Sequence, residues 1–285
     1  MIRKLTVETT QGTLLEGVIF KAQRAETVVI IITGVEGNIQ NNPFYSIIGK
    51  KLSNVGVDFI VAHTKDAFNQ TKSFNRSTGK IEFYGAGTES FADSDDDVQA
   101  YLNWAVERKY KHIILGGQSL GANKVIHYLA MNPNELIDKF LLLSPVNVDV
   151  LRRSITKEQR SYILQAENNQ RGKSKLPFKL FRWLAADADT ANEWLFDDTL
   201  NNVHFNKGSD FSQVKKIDIN GALVIGTRDR FSGGNPLNYL QNINDHWKNN
   251  RENELVLIKD AGHIYRSKEY VLADKLLELL KKWHY

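Results

Sequence analysis

The strongest constraint on the fold of this chain is the repeated alternation of short apolar runs with segments of helical spacing. Residues 27–33 hold the β-branched run Val28-Val29-Ile30-Ile31-Ile32. A strand with no polar alternate is one covered on both faces, which in a parallel sheet means helices above and below it. Similar apolar runs recur at 57–62, 113–115, 137–143, 222–226 and 254–258. Helical patterns are expected over 43–54, 94–109, from Leu120 to about 131, 236–249 and 268–283. Two alternating segments, 4–8 and 14–21, flank Gln11-Gly12 and predict a leading β-hairpin. The implied class is α/β: a mostly parallel, doubly wound sheet with helices on both faces, whose sites lie at the C-terminal strand ends.

The alternation lapses over 146–219. That stretch is helix-like and rich in aromatics, among them Tyr162, Phe178, Phe181, Trp183, Trp194, Phe196 and Phe205. It reads as a helical cap inserted into a core domain formed by 1–145 and 220–285. Its first half is basic, with Arg152, Arg153, Lys157, Arg160, Arg171, Lys173, Lys175, Lys179 and Arg182 facing only Glu158 and Glu167. Two readings stay open: a lid offering cationic and apolar surface to an acidic substrate or carrier-protein partner, or a solvated helix face. The polar, aromatic-studded stretch 63–88 is expected to be a loop beside the site.

Composition narrows the function classes. With 285 residues, 42% hydrophobic and 25% charged, the chain is ordinary globular material. A net charge of +4, with no recognition helix, zinc finger or RNA-binding aromatics, predicts no nucleic-acid partner. The chain has no cysteine, which excludes thiolate chemistry and disulfides. No apolar run is long enough for a transmembrane segment. The opening Met1-Ile2-Arg3-Lys4-Leu5 starts directly into a strand pattern without a signal-peptide core, so a cytoplasmic location is expected. Asp95, Asp96 and Asp97 suit the first turn of a helix and lack the glycine and terminal glutamate of a calcium loop, so no metal is assigned.

The chemistry is concentrated in Gly117-Gln118-Ser119-Leu120-Gly121, between the apolar run at 113–115 and the helix that follows. This matches a nucleophile elbow, in which a serine sits at a strained strand-to-helix turn with its hydroxyl raised above the sheet. The Leu120 N–H, opening the helix, would face a developing oxyanion. A serine hydroxyl needs a base, and an imidazole oriented by a carboxylate supplies one. His263, in Asp260-Ala261-Gly262-His263, follows the last expected strand and is the best of seven histidines, with His63 its main rival. Asp229 follows the preceding strand and is the first choice of acid; Asp149 is its rival, and Asp260 is assigned to the local turn. Arg228 and Arg230 are read as solvated.

The order Ser119, Asp229, His263, each after its own strand, resembles the serine-dependent α/β-hydrolases, and the resemblance runs from Val28 to the C-terminus. It implies the α/β-hydrolase fold, cleavage of a small-molecule carboxylic ester or thioester through an acyl-serine, and no cofactor. It also places Val35 N–H beside Leu120 N–H as the second oxyanion donor. Two positions depart from the pattern: Thr33-Gly34-Val35 stands where His-Gly is common, and Gln118 where histidine is frequent. A faint further resemblance, to fungal siderophore-ester hydrolases, rests on the Gly34 loop, Gly85-Ala86-Gly87 and the Asp-rich helix start. The same triad would also serve an acyltransferase or carrier-protein thioesterase, and the same fold a non-catalytic ligand-binding receptor.

Overall fold

The computed structural model describes residues 1–133 and 136–285. An antiparallel hairpin, β1 (Ile2–Glu8) and β2 (Leu14–Phe20), is followed by β3 (Thr27–Ile32), α1 (Pro43–Ser53) and β4 (Val57–Ala62). A second hairpin, β5 (Thr71–Asn75) and β6 (Lys80–Tyr84), precedes α2 (Ser94–Glu107), β7 (His112–Gln118), α3 (Leu120–Met131) and β8 (Lys139–Leu143). Helices α4 (Val148–Arg152), α5 (Lys157–Asn168), α6 (Ala188–Phe196) and α7 (Ser212–Lys216) separate β8 from β9 (Gly221–Gly226). The chain closes with α8 (Pro236–Asp245), β10 (Glu254–Ile258) and α9 (Glu269–Lys282).

The described residues form an eight-stranded sheet in the order β1-β2-β4-β3-β7-β8-β9-β10. From β4 to β10 the strands run parallel, while β2 pairs antiparallel with both β1 and β4. The β-branched run explains this placement. Val28, Ile30 and Ile32 enter the apolar cluster under α2, α3 and α8, whereas Val29 and Ile31 enter the opposite one under α1 and α9. Each such side chain contributes about 1.5–3 kcal/mol on full burial, so only a central strand can use them all. Ile32 lies opposite Gly117 of β7, which brings the loop after β3 to the same sheet end as Ser119.

Residues 146–219 contribute most of a third cluster, in which Leu151, Ile163, Leu180, Phe181 and Trp194 pack with Leu120 of α3 and Phe231. Here two of the basic side chains hold structure together. Arg152 donates to the carbonyls of Trp194 (2.8 Å) and Asp197 (2.6 Å) and pairs with Asp198 at 2.6 Å, while Arg160 donates to Arg152 O at 2.6 Å. The remaining cations of that stretch are exposed.

Three local expectations are corrected. The stretch 63–88 contains a regular hairpin, which sits against β2 through Ser73 Oγ to Leu14 O (2.6 Å) and against the turn before β2 through Asn75 Nδ2 to Gln11 O (3.1 Å). Helix α8 ends at Asp245 rather than 249, because Trp247 turns inward to pack against Phe140, with ring centroids 4.3 Å apart, and donates to Ile219 O at 3.0 Å. Asp97 does more than complement the dipole of α2: it is fully buried and accepts from Lys65 N at 2.8 Å.

Candidate active site

Ser119 stands alone between β7 and α3, at φ 57° and ψ −127°. Left-handed φ at a non-glycine residue costs on the order of 1–3 kcal/mol and persists only where the surroundings enforce it. Here they do. Ser119 N donates to Leu143 O and Ser119 O accepts from Ala122 N, both at 2.9 Å. The flanking glycines are required by close approach: a Cβ at Gly117 would lie 2.1 Å from Gly121 O, and one at Gly121 would lie 2.2 Å from Ile32 O. The turn therefore closes only with hydrogen at both positions.

His263 follows β10 in a loop whose residues Asp260, Tyr265 and Ser267 also have positive φ. Its Nε2 lies 2.8 Å from Ser119 Oγ and its Nδ1 2.8 Å from Asp229 Oδ2. Asp229, just after β9, is buried, and its second oxygen accepts from Phe231 N at 2.9 Å. Burial pushes the Asp229 carboxyl up. The neighbouring His263 and the hydrogen bonds from His263, Phe231 N and Ser144 outweigh that, holding it below the usual aspartate value. An ionised Asp229 accepts a hydrogen bond from Nδ1–H, which leaves Nε2 as the acceptor facing the serine hydroxyl. The Phe231 ring meets the imidazole edge-on, 4.4 Å between centroids, and fixes its plane.

The rivals are occupied elsewhere. His63 accepts from Ile39 N at Nε2 (3.2 Å) and donates from Nδ1 to Glu16 O (2.8 Å); burial lowers its pKa and keeps it neutral. Asp149 faces His204 Nδ1 at 3.2 Å and Asn201 Nδ2 at 3.1 Å. Asp260 accepts from Arg228 at 2.7 Å, and its N–H is held by Thr227 Oγ1 at 2.8 Å.

The loop after β3 is tied down on both sides of Val35. Thr33 N donates to Ala62 O (3.1 Å), Glu36 N to Asp66 O (2.7 Å) and Gly37 N to Gly34 O (2.8 Å), bonds that pass over the Val35 amide. Val35 and Leu120 border the same cleft as Ser119 and His263, with a volume of about 320 Å³. Residues of 146–219 supply one wall through Val146, Leu151, Trp183 and Trp194; Phe231, Ile264, Arg230 and Arg266 supply another. No described residue of 63–88 lines it. Among the described residues no group of three or more His, Asp or Glu side chains could hold a metal ion, and no helix is long and apolar enough to cross a membrane.

No family model matches the sequence, and no curated protein matches it. The architecture is nevertheless shared with solved structures. Est1E from Butyrivibrio proteoclasticus is 15% identical and superposes with a TM-score of 0.65 over 98% of each chain. The alpha/beta hydrolase GrgF from Penicillium sp. sh18, also 15% identical, gives 0.68 over 99% of this chain and 98% of its own. The Pyrococcus furiosus esterase PF2001, 18% identical, gives 0.63 over 99% and 91%. The chain has the α/β-hydrolase fold. In an α/β-hydrolase frame, Ser119, Asp229 and His263 all lie just past the C-terminal ends of parallel strands, β7, β9 and β10.

Two features of the site were not read from sequence. Arg230 is exposed, in keeping with a solvated side chain, and it also lines the cleft, its guanidinium carbon 4.8 Å from the Phe231 centroid. Arg266 was not singled out. The available signal was their spacing, one residue after Asp229 and three after His263. The second is a sealed cluster of charges around Lys124, whose partners are scattered over residues 65–97 and leave no motif.

Proposed function

We propose that this chain is a serine hydrolase that cleaves a carboxylic ester or thioester through an acyl-serine intermediate. Ser119 Oγ attacks the acyl carbon as its proton passes to His263 Nε2. The carbonyl electrons move to oxygen, which the Val35 and Leu120 amides stabilise, each donor contributing about 3 kcal/mol to the barrier reduction. Asp229 balances the imidazolium. Collapse of the tetrahedral adduct breaks the bond to the leaving oxygen or sulfur, which takes the proton from Nε2, and the acyl group remains on Ser119. Water then repeats the sequence with His263 as base, releasing a carboxylic acid and the free serine.

The observation that carries this reading is the unbroken relay from Ser119 Oγ to His263 to Asp229, with 2.8 Å at each step. The strained Ser119 backbone supports it, because such strain collects at working sites. The aromatic and aliphatic cleft wall suits an apolar portion of a small-molecule substrate. An esterase name among the structural neighbours accords with it. A fluorophosphonate probe tests the reading: it should label the wild-type chain once, and Ser119→Ala should remain unlabelled while unfolding at the wild-type temperature. Equal labelling of Ser119→Ala would overturn the assignment.

A further inference from the structure

Resting on the reading just given, we propose that Arg230 and Arg266 make the cleft selective for esters that carry an anionic carboxylate away from the reacting carbonyl. The two guanidinium groups sit on the loops that bear Asp229 and His263, and both line the cleft. Arg228, two positions before Arg230, is paired with Asp260 at 2.7 Å, whereas among the described residues Arg230 and Arg266 have no ion-pair partner. The one acidic residue in the lining, Glu36, is engaged by Asn69 Nδ2 at 2.9 Å. The cleft thus holds two cations against one carboxylate.

Arg230 is supported through its side chain and Arg266 through the backbone that carries it. Arg230 lies over the Phe231 ring, 4.8 Å from its centroid, and the same ring meets the His263 imidazole edge-on at 4.4 Å. Arg266 follows Tyr265, which is fully buried and donates its hydroxyl proton to Val224 O at 3.1 Å. Tyr265 and Ser267 both have positive φ, at 53° and 62°, so the chain bends sharply on either side of Arg266. A planar guanidinium offers parallel N–H groups that match a carboxylate, and such charge-assisted hydrogen bonds are stronger than neutral ones. With exposed heads, the pair acts partly by steering, an effect that salt weakens.

The test separates binding from turnover. Two ester pairs differ in one carboxylate: mono-4-nitrophenyl glutarate against 4-nitrophenyl pentanoate, with the charge on the acyl side, and 3-carboxyphenyl acetate against phenyl acetate, with the charge on the leaving side. Binding to Ser119→Ala protein should be about tenfold tighter for the anionic member of at least one pair. That preference should vanish when Arg230→Gln and Arg266→Gln are added, and should shrink in high salt. The pair that shows it tells which side of the ester meets the guanidiniums. In the catalytically intact chain, the Arg→Gln changes should lower kcat/KM for the anionic ester about tenfold more than for its neutral counterpart. Equal binding within both pairs, or a preference that survives both substitutions, would overturn the inference. An anion preference in binding without any ester turnover would support it and instead sink the assignment of Ser119.

Discussion

Two assemblies of charge meet the first turns of α3 and behave in opposite ways. At the start of α3, Ser119 joins His263 and a buried Asp229 whose two oxygens are both hydrogen-bonded. Five residues further on, Lys124 is completely buried, 3.0 Å from Asp66 and in contact with Glu89; Lys65 pairs beside them with Asp93 at 2.9 Å and approaches Asp97 at 3.8 Å. There Asp66 Oδ2, Glu89 Oε2 and Asp97 Oδ1 are buried with no hydrogen-bond partner. Burial lifts the Glu89 carboxyl well above its usual value and that of Asp97 to about 6, despite the pull of Lys124 and Lys65. Asp229 is buried too, yet held low. Asp229 faces His263 and several hydrogen-bond donors, whereas Glu89 and Asp97 share their site with other carboxylates, so the surrounding charges and hydrogen bonds, rather than burial alone, decide which way a carboxyl is shifted.

The sealed cluster also joins the parts that frame the triad. The Asp66 carbonyl accepts from Glu36 N beside Val35, and the Glu89 carbonyl accepts from Thr190 Oγ1 of α6 at 2.9 Å. On this account, losing a charge from the triad costs rate, and losing one from the cluster costs stability.

The largest expected effect is on rate. Ser119→Ala should lower ester turnover by about a millionfold, with folding preserved. Asp229→Asn should lower kcat about 10⁴-fold by disturbing the tautomer of His263, while Asp149→Asn should leave turnover near wild type in a chromogenic ester assay. A normal rate in Asp229→Asn would break the comparison at its catalytic end.

Next in size is Lys124→Met, which strands Asp66 and Glu89 without their cation. Urea unfolding should show a loss of about 3–5 kcal/mol, and Asp229→Asn should move the midpoint much less. A Lys124→Met chain as stable as wild type would remove the structural role assigned to the cluster.

The smallest effect is in pH. Asp97 titrates near 6 in the folded chain and near about 3.9 unfolded. Between those values only the folded chain keeps the proton, so this contribution to stability is greatest at the acid end and is lost as pH rises through 6. Asp229 has the opposite sign: its contribution is present above about 4 and is lost as pH falls through its depressed folded value. His63, held neutral, also opposes Asp97, because the unfolded imidazole gains a proton as pH falls through about 6.5. The quantity to read is therefore the difference between wild type and Asp97→Asn. Unfolding free energies at about pH 7 and about pH 5 should show wild type gaining about 1 kcal/mol relative to the variant on acidification, and parallel profiles would contradict the raised Asp97.

What could be read from sequence follows the same division. The central strands were legible because residues such as Val28–Ile32 must be buried on both faces. The elbow was legible because its backbone geometry demands glycine at 117 and 121. The β5–β6 hairpin was not, because Phe74, Ile81 and Phe83 are exposed and its faces carry no core alternation. Nor was the cluster, since a fully buried lysine runs against the usual placement of that residue and is made tolerable only by acids distant in sequence. The place of Arg230 in the cleft was not legible, because a charge next to a catalytic acid has the same appearance in sequence whether it meets open solvent or a cleft.

The central claim is that Ser119 carries the acyl group between the two halves of the reaction. Rapid acid quenching during turnover of a 4-nitrophenyl ester, followed by peptide mass analysis, tests it directly. The account predicts one added acyl group, on the peptide containing Ser119, appearing in step with the first equivalent of nitrophenol and absent from Ser119→Ala. Turnover with no acylated peptide, or with the acyl group on another residue, would contradict it.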